Sequence, residues 1–162
     1  MNSNELKDMG IVEERAAETT EVAAHVKRAE RDLATSRLLL DNNDEEWAFA
    51  AAYQVMARSA RGLILSEGFR PKSVRGRDPH KIVVTAVGAI LGPKHKSMIN
   101  KFDRMRRKYQ NVMEEAGTVI SRYEARQALK DAEEFFALAG ERIKEKYSQM
   151  SFLNGAPQSV SR

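Results

Sequence analysis

Cysteine is absent from the 162 residues, which excludes disulfides, thiolate nucleophiles and cysteine-ligated zinc and fits a reducing compartment. Histidine is scarce: His25, His80 and His95 fall on three different expected elements. None of them has a glutamate three places before it, so the Glu-x-x-His pair of carboxylate-bridged metal bundles is missing. Neither a metal nor a cofactor is expected. A phosphate-cradling glycine loop is missing as well, because Arg75-Gly76-Arg77 is too short and follows a helical pattern rather than a strand. No apolar run approaches the ~20 residues of a membrane span, and the opening stretch MNSNELKDMGIVEER mixes acids into what a secretory signal would keep apolar. A cytoplasmic protein with no membrane partner is the expectation.

Positive charge is outweighed over most of the chain and crowded in one quarter of it. Between Arg70 and Lys108 twelve Lys/Arg face two acids, Asp78 and Asp103, for a net of +10, whereas the remainder has a net of −6. Such concentration offers a local field for polyanions while the rest of the surface stays acidic.

Strand-like alternation is not evident, and apolar residues instead recur at three- and four-residue spacings. A short helical segment is expected within residues 5–15, weakened by Gly10. The first long helix starts at Thr19 or Thr20, whose hydroxyl suits an N-cap, and carries Val22, Val26, Ala29, Leu33 and Leu40. Asn43 with Glu46 reads as a capping box opening a second helix, with Trp47 as a core anchor and Gly68 as its left-handed terminator. The stretch FRPKSVRGR, residues 69–77, reads as the main loop. Asp78-Pro79 caps a third, brief helix that Gly92-Pro93 ends. A fourth runs from about Lys94 with Met98, Phe102, Met105, Tyr109, Val112 and Ala116. Ser121 and Glu124 form the S-x-x-E box of the last helix, which places Ala125, Leu129, Ala132, Phe136, Ala139 and Ile143 inward. Together these predict an all-α, antiparallel up-and-down helical bundle of four long helices plus a short extra one. The expected boundaries are an N-terminal segment 1–18, the bundle 19–147 and a flexible tail 148–162.

The segment KFDRMRRKYQN, residues 101–111, is the main candidate for binding. With Phe102 and Met105 inward, Arg104, Arg107, Lys108 and Asn111 share the exposed side. Arg106 and the loop residues Arg70, Lys72, Arg75 and Arg77 join them as candidate contacts for RNA or nucleotide phosphates. The competing reading pairs these cations with Glu114, Glu115 or acids of a neighbouring helix. His80 is expected to be an exposed first-turn residue near the cations, and Tyr109 a stripe residue whose hydroxyl reaches a cleft.

The runs AERDLATSRLLL, EWAFAAAYQVMARSARGLILSEGFRP, PHKIV, FDRMRRK and EAGTVISRYEARQALKDAEEFFAL, in that order, resemble a HEPN domain, most closely its small stand-alone prokaryotic members. The resemblance implies a helical bundle, commonly a homodimer. It also implies in many members a metal-independent endoribonuclease of a toxin–antitoxin or defence system, encoded beside a nucleotidyltransferase-like antitoxin. The site it implies is an Arg followed four to six residues on by a His, or in related members Arg-Asn with a Tyr downstream. Here Lys108 is followed by Tyr109-Gln110, Glu114 stands in the Tyr position, and no histidine follows His95. Arg stays protonated and cannot replace a group that exchanges protons near neutrality. The expectation is therefore an RNA- or nucleotide-binding domain without ribonuclease activity. The alternatives are a ribonuclease toxin with an altered site drawn from Arg107, Tyr109 and His80, and a non-catalytic protein-interaction module.

Overall fold

In the computed structural model, residues 3–153 are described, with side chains over 4–148. The chain runs through α1 (Ser3–Asp8), β1 (Val12–Glu14), α2 (Thr19–Asp41), α3 (Glu45–Ser66), β2 (Phe69–Pro71), α4 (Pro79–Leu91), a 3-10 turn (Pro93–His95), α5 (Lys96–Glu114) and α6 (Arg122–Leu153). The all-α bundle is as expected: α2, α3, α5 and α6 are long, and α4 is the brief extra helix. Helix α3 is its axis, since fifteen of its 22 residues are buried and it packs against α2, α4, α5 and α6. Alanines permit this. Ala48, Ala52 and Ala60 are fully buried, and Ser36 Oγ of α2 donates to the Ala48 carbonyl at 2.7 Å, a distance only two closely approaching backbones allow.

Several local expectations are corrected. Two short strands do form: β1 pairs antiparallel with β2, in the register Val12↔Pro71, Glu13↔Arg70, Glu14↔Phe69. The first three residues of the anticipated 69–77 loop are thus pinned, because Phe69 is buried against the core and draws its neighbours into a ladder too short to show alternation in sequence. No threonine caps α2; its N-cap is Glu18, without a side-chain bond. Asn43 takes a left-handed φ of 62° at the α2–α3 turn, which asparagine tolerates, so Asp44 becomes the cap and accepts from the Trp47 amide at 3.2 Å. Trp47 is 55% exposed rather than a core anchor, since Ala48, one position on, takes the inward direction. On α6 the interior stripe is Ala125, Ala128, Ala132, Phe135, Ala139 and Ile143, with Leu129 and Phe136 only partly buried at its flank. The α6 backbone continues helical through Leu153, beyond the expected start of the tail at 148; residues 154–162 lie outside the described residues.

The Asp78-Pro79 start, the Gly68 terminator at φ 84° and the Ser121 cap onto the Glu124 amide at 3.0 Å stand as read. Phe102 is 1% exposed and lies tilted between Tyr53 and Phe135 with centroids 6.0 and 5.5 Å away. Phe102→Ala is expected to cost about 3–5 kcal/mol by urea denaturation, the usual range for emptying a large core site.

Candidate anion-binding cleft

The brief helix α4 is bolted to α5 by one carboxylate. Asp78 Oδ1 accepts from the His80 amide at 2.9 Å as the helix cap. Its Oδ2 accepts from Arg106 Nη1 at 2.9 Å and from Gln110 Nε2 at 2.7 Å. Arg106 Nε donates in turn to Asp103 Oδ1 at 2.9 Å. Burial pushes Asp78 and Asp103 up, but the hydrogen bonds and the guanidinium charge outweigh it, and both carboxyls sit below the ordinary value.

This joint sets the place of His80. Its Nδ1 lies 2.8 Å from the Tyr53 hydroxyl, and Tyr53 stacks on Tyr109 with centroids 4.3 Å apart. Gln54 Nε2 donates to the Tyr109 hydroxyl at 3.0 Å. His80 is therefore a half-buried, bonded residue and not a free first-turn side chain. Burial raises the Tyr53 pKa far above the ordinary phenol value, so its hydroxyl keeps its proton and either donates to His80 Nδ1 or accepts from it, according to the imidazole tautomer.

Beside this pair opens a cleft of about 260 Å³, lined by His25 of α2, by Tyr53, Gln54, Ala57, Arg58 and Arg61 of α3, and by His80 and Val83 of α4. No acid lines it. Neither Arg58 nor Arg61 forms an ion pair among the described residues, and the buried Nε of Arg58 has no hydrogen-bond partner. Burial and then the charge of Arg58 pull Arg61 below its ordinary pKa. Burial, Arg58 and Arg61 likewise hold His25 toward its neutral form, against the opposing pull of Glu21.

The basic helix is differently placed. Arg104, Arg107 and Asn111 are exposed and Lys108 half-exposed, on the side their spacing predicts. Most of these cations, however, have acidic neighbours: Lys101 with Asp131 at 3.4 Å, Arg107 with Asp103 at 3.8 Å and Lys108 with Glu124 at 3.5 Å. Arg106 is only 11% exposed and is held by Asp78 and Asp103. On α5 Arg104, like Lys96 at the start of the helix, has no ion pair among the described residues. In the loop, Arg70 pairs with Glu13 and the Lys72 amide donates to the Ile11 carbonyl at 2.7 Å. Lys72, Arg75 and Arg77 are exposed. Of the suggested catalytic trio, His80 and Tyr109 come together, with centroids 6.3 Å apart, while Arg107 is 62% exposed and does not line the cleft.

Arg58, Arg61, His25, Tyr53 and Gln54 were not among the sequence candidates. A signal did exist: between Glu46 and Glu67, Arg58 and Arg61 are the only charged residues, three apart, in an apolar helix. It was hidden because α3 lies outside the strongly basic quarter of the chain. Among the described residues no group of His, Cys, Asp and Glu is clustered for a metal, and no helix is long and apolar enough to cross a membrane.

No curated protein matches the chain. Among solved structures it is similar to TT1696 from Thermus thermophilus, with a TM-score of 0.58 at 18% identity, over 75% of this chain and 97% of that one; at that identity the likeness concerns the fold. The family model described as HEPN domain matches residues 22–143, a span from the first buried residue of α2 to the last of the α6 stripe, and the chain belongs to the HEPN domain family.

Proposed function

We propose that this HEPN domain binds RNA or a nucleotide, with a phosphate of the ligand seated between Arg58 and Arg61. The observation that carries the reading is the pair of half-buried guanidiniums without a carboxylate between them. Like charges taken out of water without a counterion cost free energy, and a ligand anion that supplies the missing charge turns that cost into affinity. Guanidinium donors also match phosphate oxygens two at a time. Around α5, by contrast, Lys81, Lys101, Arg106, Arg107 and Lys108 already share Asp78, Asp103, Glu124 and Asp131. The surplus there, with Lys72, Arg75 and Arg77 just ahead of α4, supports long-range attraction of a polyanion more than a seat for one phosphate.

Fluorescence anisotropy with a labelled single-stranded RNA and competing nucleotide tests the division of labour. Replacing Arg104, Arg107 and Lys108 together by alanine is expected to weaken RNA binding and flatten its salt dependence by up to ~0.7 units per lost contact, leaving nucleotide affinity intact. Replacing Arg58 and Arg61 is expected to remove both. Unchanged binding of both ligands by the Arg58/Arg61 variant would contradict the reading.

A second reading, a ribonuclease with an altered site, is favoured by one observation: the Tyr53–His80 pair lines the same cleft as the arginines. RNA products ending in a 2′,3′-cyclic phosphate, lost in His80→Ala, are its expected signature. Pairing with a second copy of the chain, or with an antitoxin, is supported by exposed Leu38, Trp47, Val119 and Tyr123. These gather at one end of the bundle, where Arg122 of α6 reaches the Leu40 carbonyl, Asn43 and Glu45 at 3.2 Å each.

A further inference from the structure

The geometry points to a terminal phosphate, the monoester at the end of a nucleotide or RNA chain, as the group the cleft selects over an internal phosphodiester; this rests on reading the cleft as the phosphate site. The fixed charges in the cleft are two, Arg58 and Arg61, since burial and those same guanidiniums hold His25 toward neutrality. A phosphate monoester near neutral pH carries close to two negative charges, whereas a diester carries one and would leave a guanidinium charge unmatched.

Shape argues the same way. The floor is core: Tyr53, Ala57 and Val83 are 1%, 7% and 2% exposed, and α2, α3 and α4 form the walls. At about 260 Å³ the space is smaller than the usual pocket for a whole small-molecule ligand. It accommodates a phosphate with its sugar, entering from one side. An internal diester must lead a chain away on both sides of the phosphorus, and a core floor denies one of those exits. The donor set fits as well. The unpartnered Arg58 Nε and the Arg61 guanidinium are donors, and three unesterified oxygens satisfy more such donors than the two of a diester do.

The test is isothermal titration of the full chain with four probes. These are AMP, the monomethyl phosphate ester of AMP, a short RNA with a 5′-phosphate, and the same RNA with a 5′-hydroxyl. The expected result is at least roughly tenfold tighter binding of the monoester member of either pair, as loss of a charge-assisted contact implies. Preference within the AMP pair alone, or the RNA pair alone, supports the inference and names the source of the phosphate. Equal affinity within both pairs, with binding lost in R58Q/R61Q, overturns terminal selection while leaving the site in place. Binding of all probes by R58Q/R61Q as by the parent protein, or no binding by the parent, overturns the site as well. Should R58Q/R61Q fail to fold, judged by circular dichroism, R58K/R61K keeps the charge and is expected to narrow the preference.

Discussion

Removing both cleft guanidiniums, in Arg58→Ala/Arg61→Ala, is expected to lower affinity for a phosphorylated ligand by two to four orders of magnitude without lowering the melting temperature of the free protein. The first half follows from two lost charge-assisted contacts at about 1.5–3 kcal/mol each. The second follows from the free state, in which these charges have no acid to pair with, repel each other and leave a buried Nε unsatisfied. Taking such groups out of a half-buried site relieves as much as it removes, and a better-packed neutral residue is expected to go further. Arg61→Leu should raise the melting temperature while lowering affinity by about one to two orders of magnitude, the trade that a site held ready for a ligand imposes on stability. Differential scanning fluorimetry of the free proteins, beside titration of AMP, checks both halves. Marked destabilisation together with unchanged affinity would mean that the arginines are structural.

The opposite outcome is expected at Asp78. Asp78→Ala removes the α4 cap and leaves Arg106, 11% exposed, with Asp103 as its remaining acid. Loss of a cap costs ~1 kcal/mol, and the unsatisfied buried donors of Arg106 and Gln110 add to it. A total of about 2–4 kcal/mol by urea denaturation is expected. The loss should extend to the cleft, because the same carboxylate sets the place of His80 through its amide. Asp78 and Asp103 also predict the acid behaviour. Their folded pKa values lie below the ordinary carboxylate value, so their stabilisation is complete above that value and is lost as pH falls through the lowered one. The part of the stability that these two carboxylates carry should be complete down to roughly pH 5 and decline below about pH 4, separate from the earlier loss that His25, with its lowered pKa, adds as pH falls below the ordinary histidine value, and Asp78→Ala should show a shallower acid decline than the parent. An unaltered acid profile in Asp78→Ala would show that this joint carries no proton-linked stability.

What the sequence disclosed and what it concealed have physical reasons. Helix number, order and most ends were legible because periodic apolar residues, Asp78-Pro79, Gly68, Gly92-Pro93 and the Ser121 box act locally. The β1–β2 ladder was not, because a three-residue pairing between strands so far apart in sequence is decided by tertiary packing of Phe69. Trp47 and Phe136 were misplaced by a single helical position, which is about 100° of rotation and enough to exchange core for solvent. For the site the difference runs deeper. Charge density directs attention to α5, yet density is not availability: Arg106 is the best-buried cation of that helix and the most firmly paired. Arg58 and Arg61 contribute little to any local charge count. They stand out only once α2 and α4 are seen to bring histidines, and no acid, to the lining of the cleft they share.

The central claim, that the phosphate seat is the Arg58–Arg61 cleft, is tested most directly by following arginine Nε–H resonances in a ¹⁵N NMR titration with AMP, assigned through the R58K and R61K variants. The Arg58 and Arg61 signals are expected to shift first and saturably. Saturable shifts confined to Arg104, Arg107 and the loop arginines, with Arg58 and Arg61 unmoved, would contradict it.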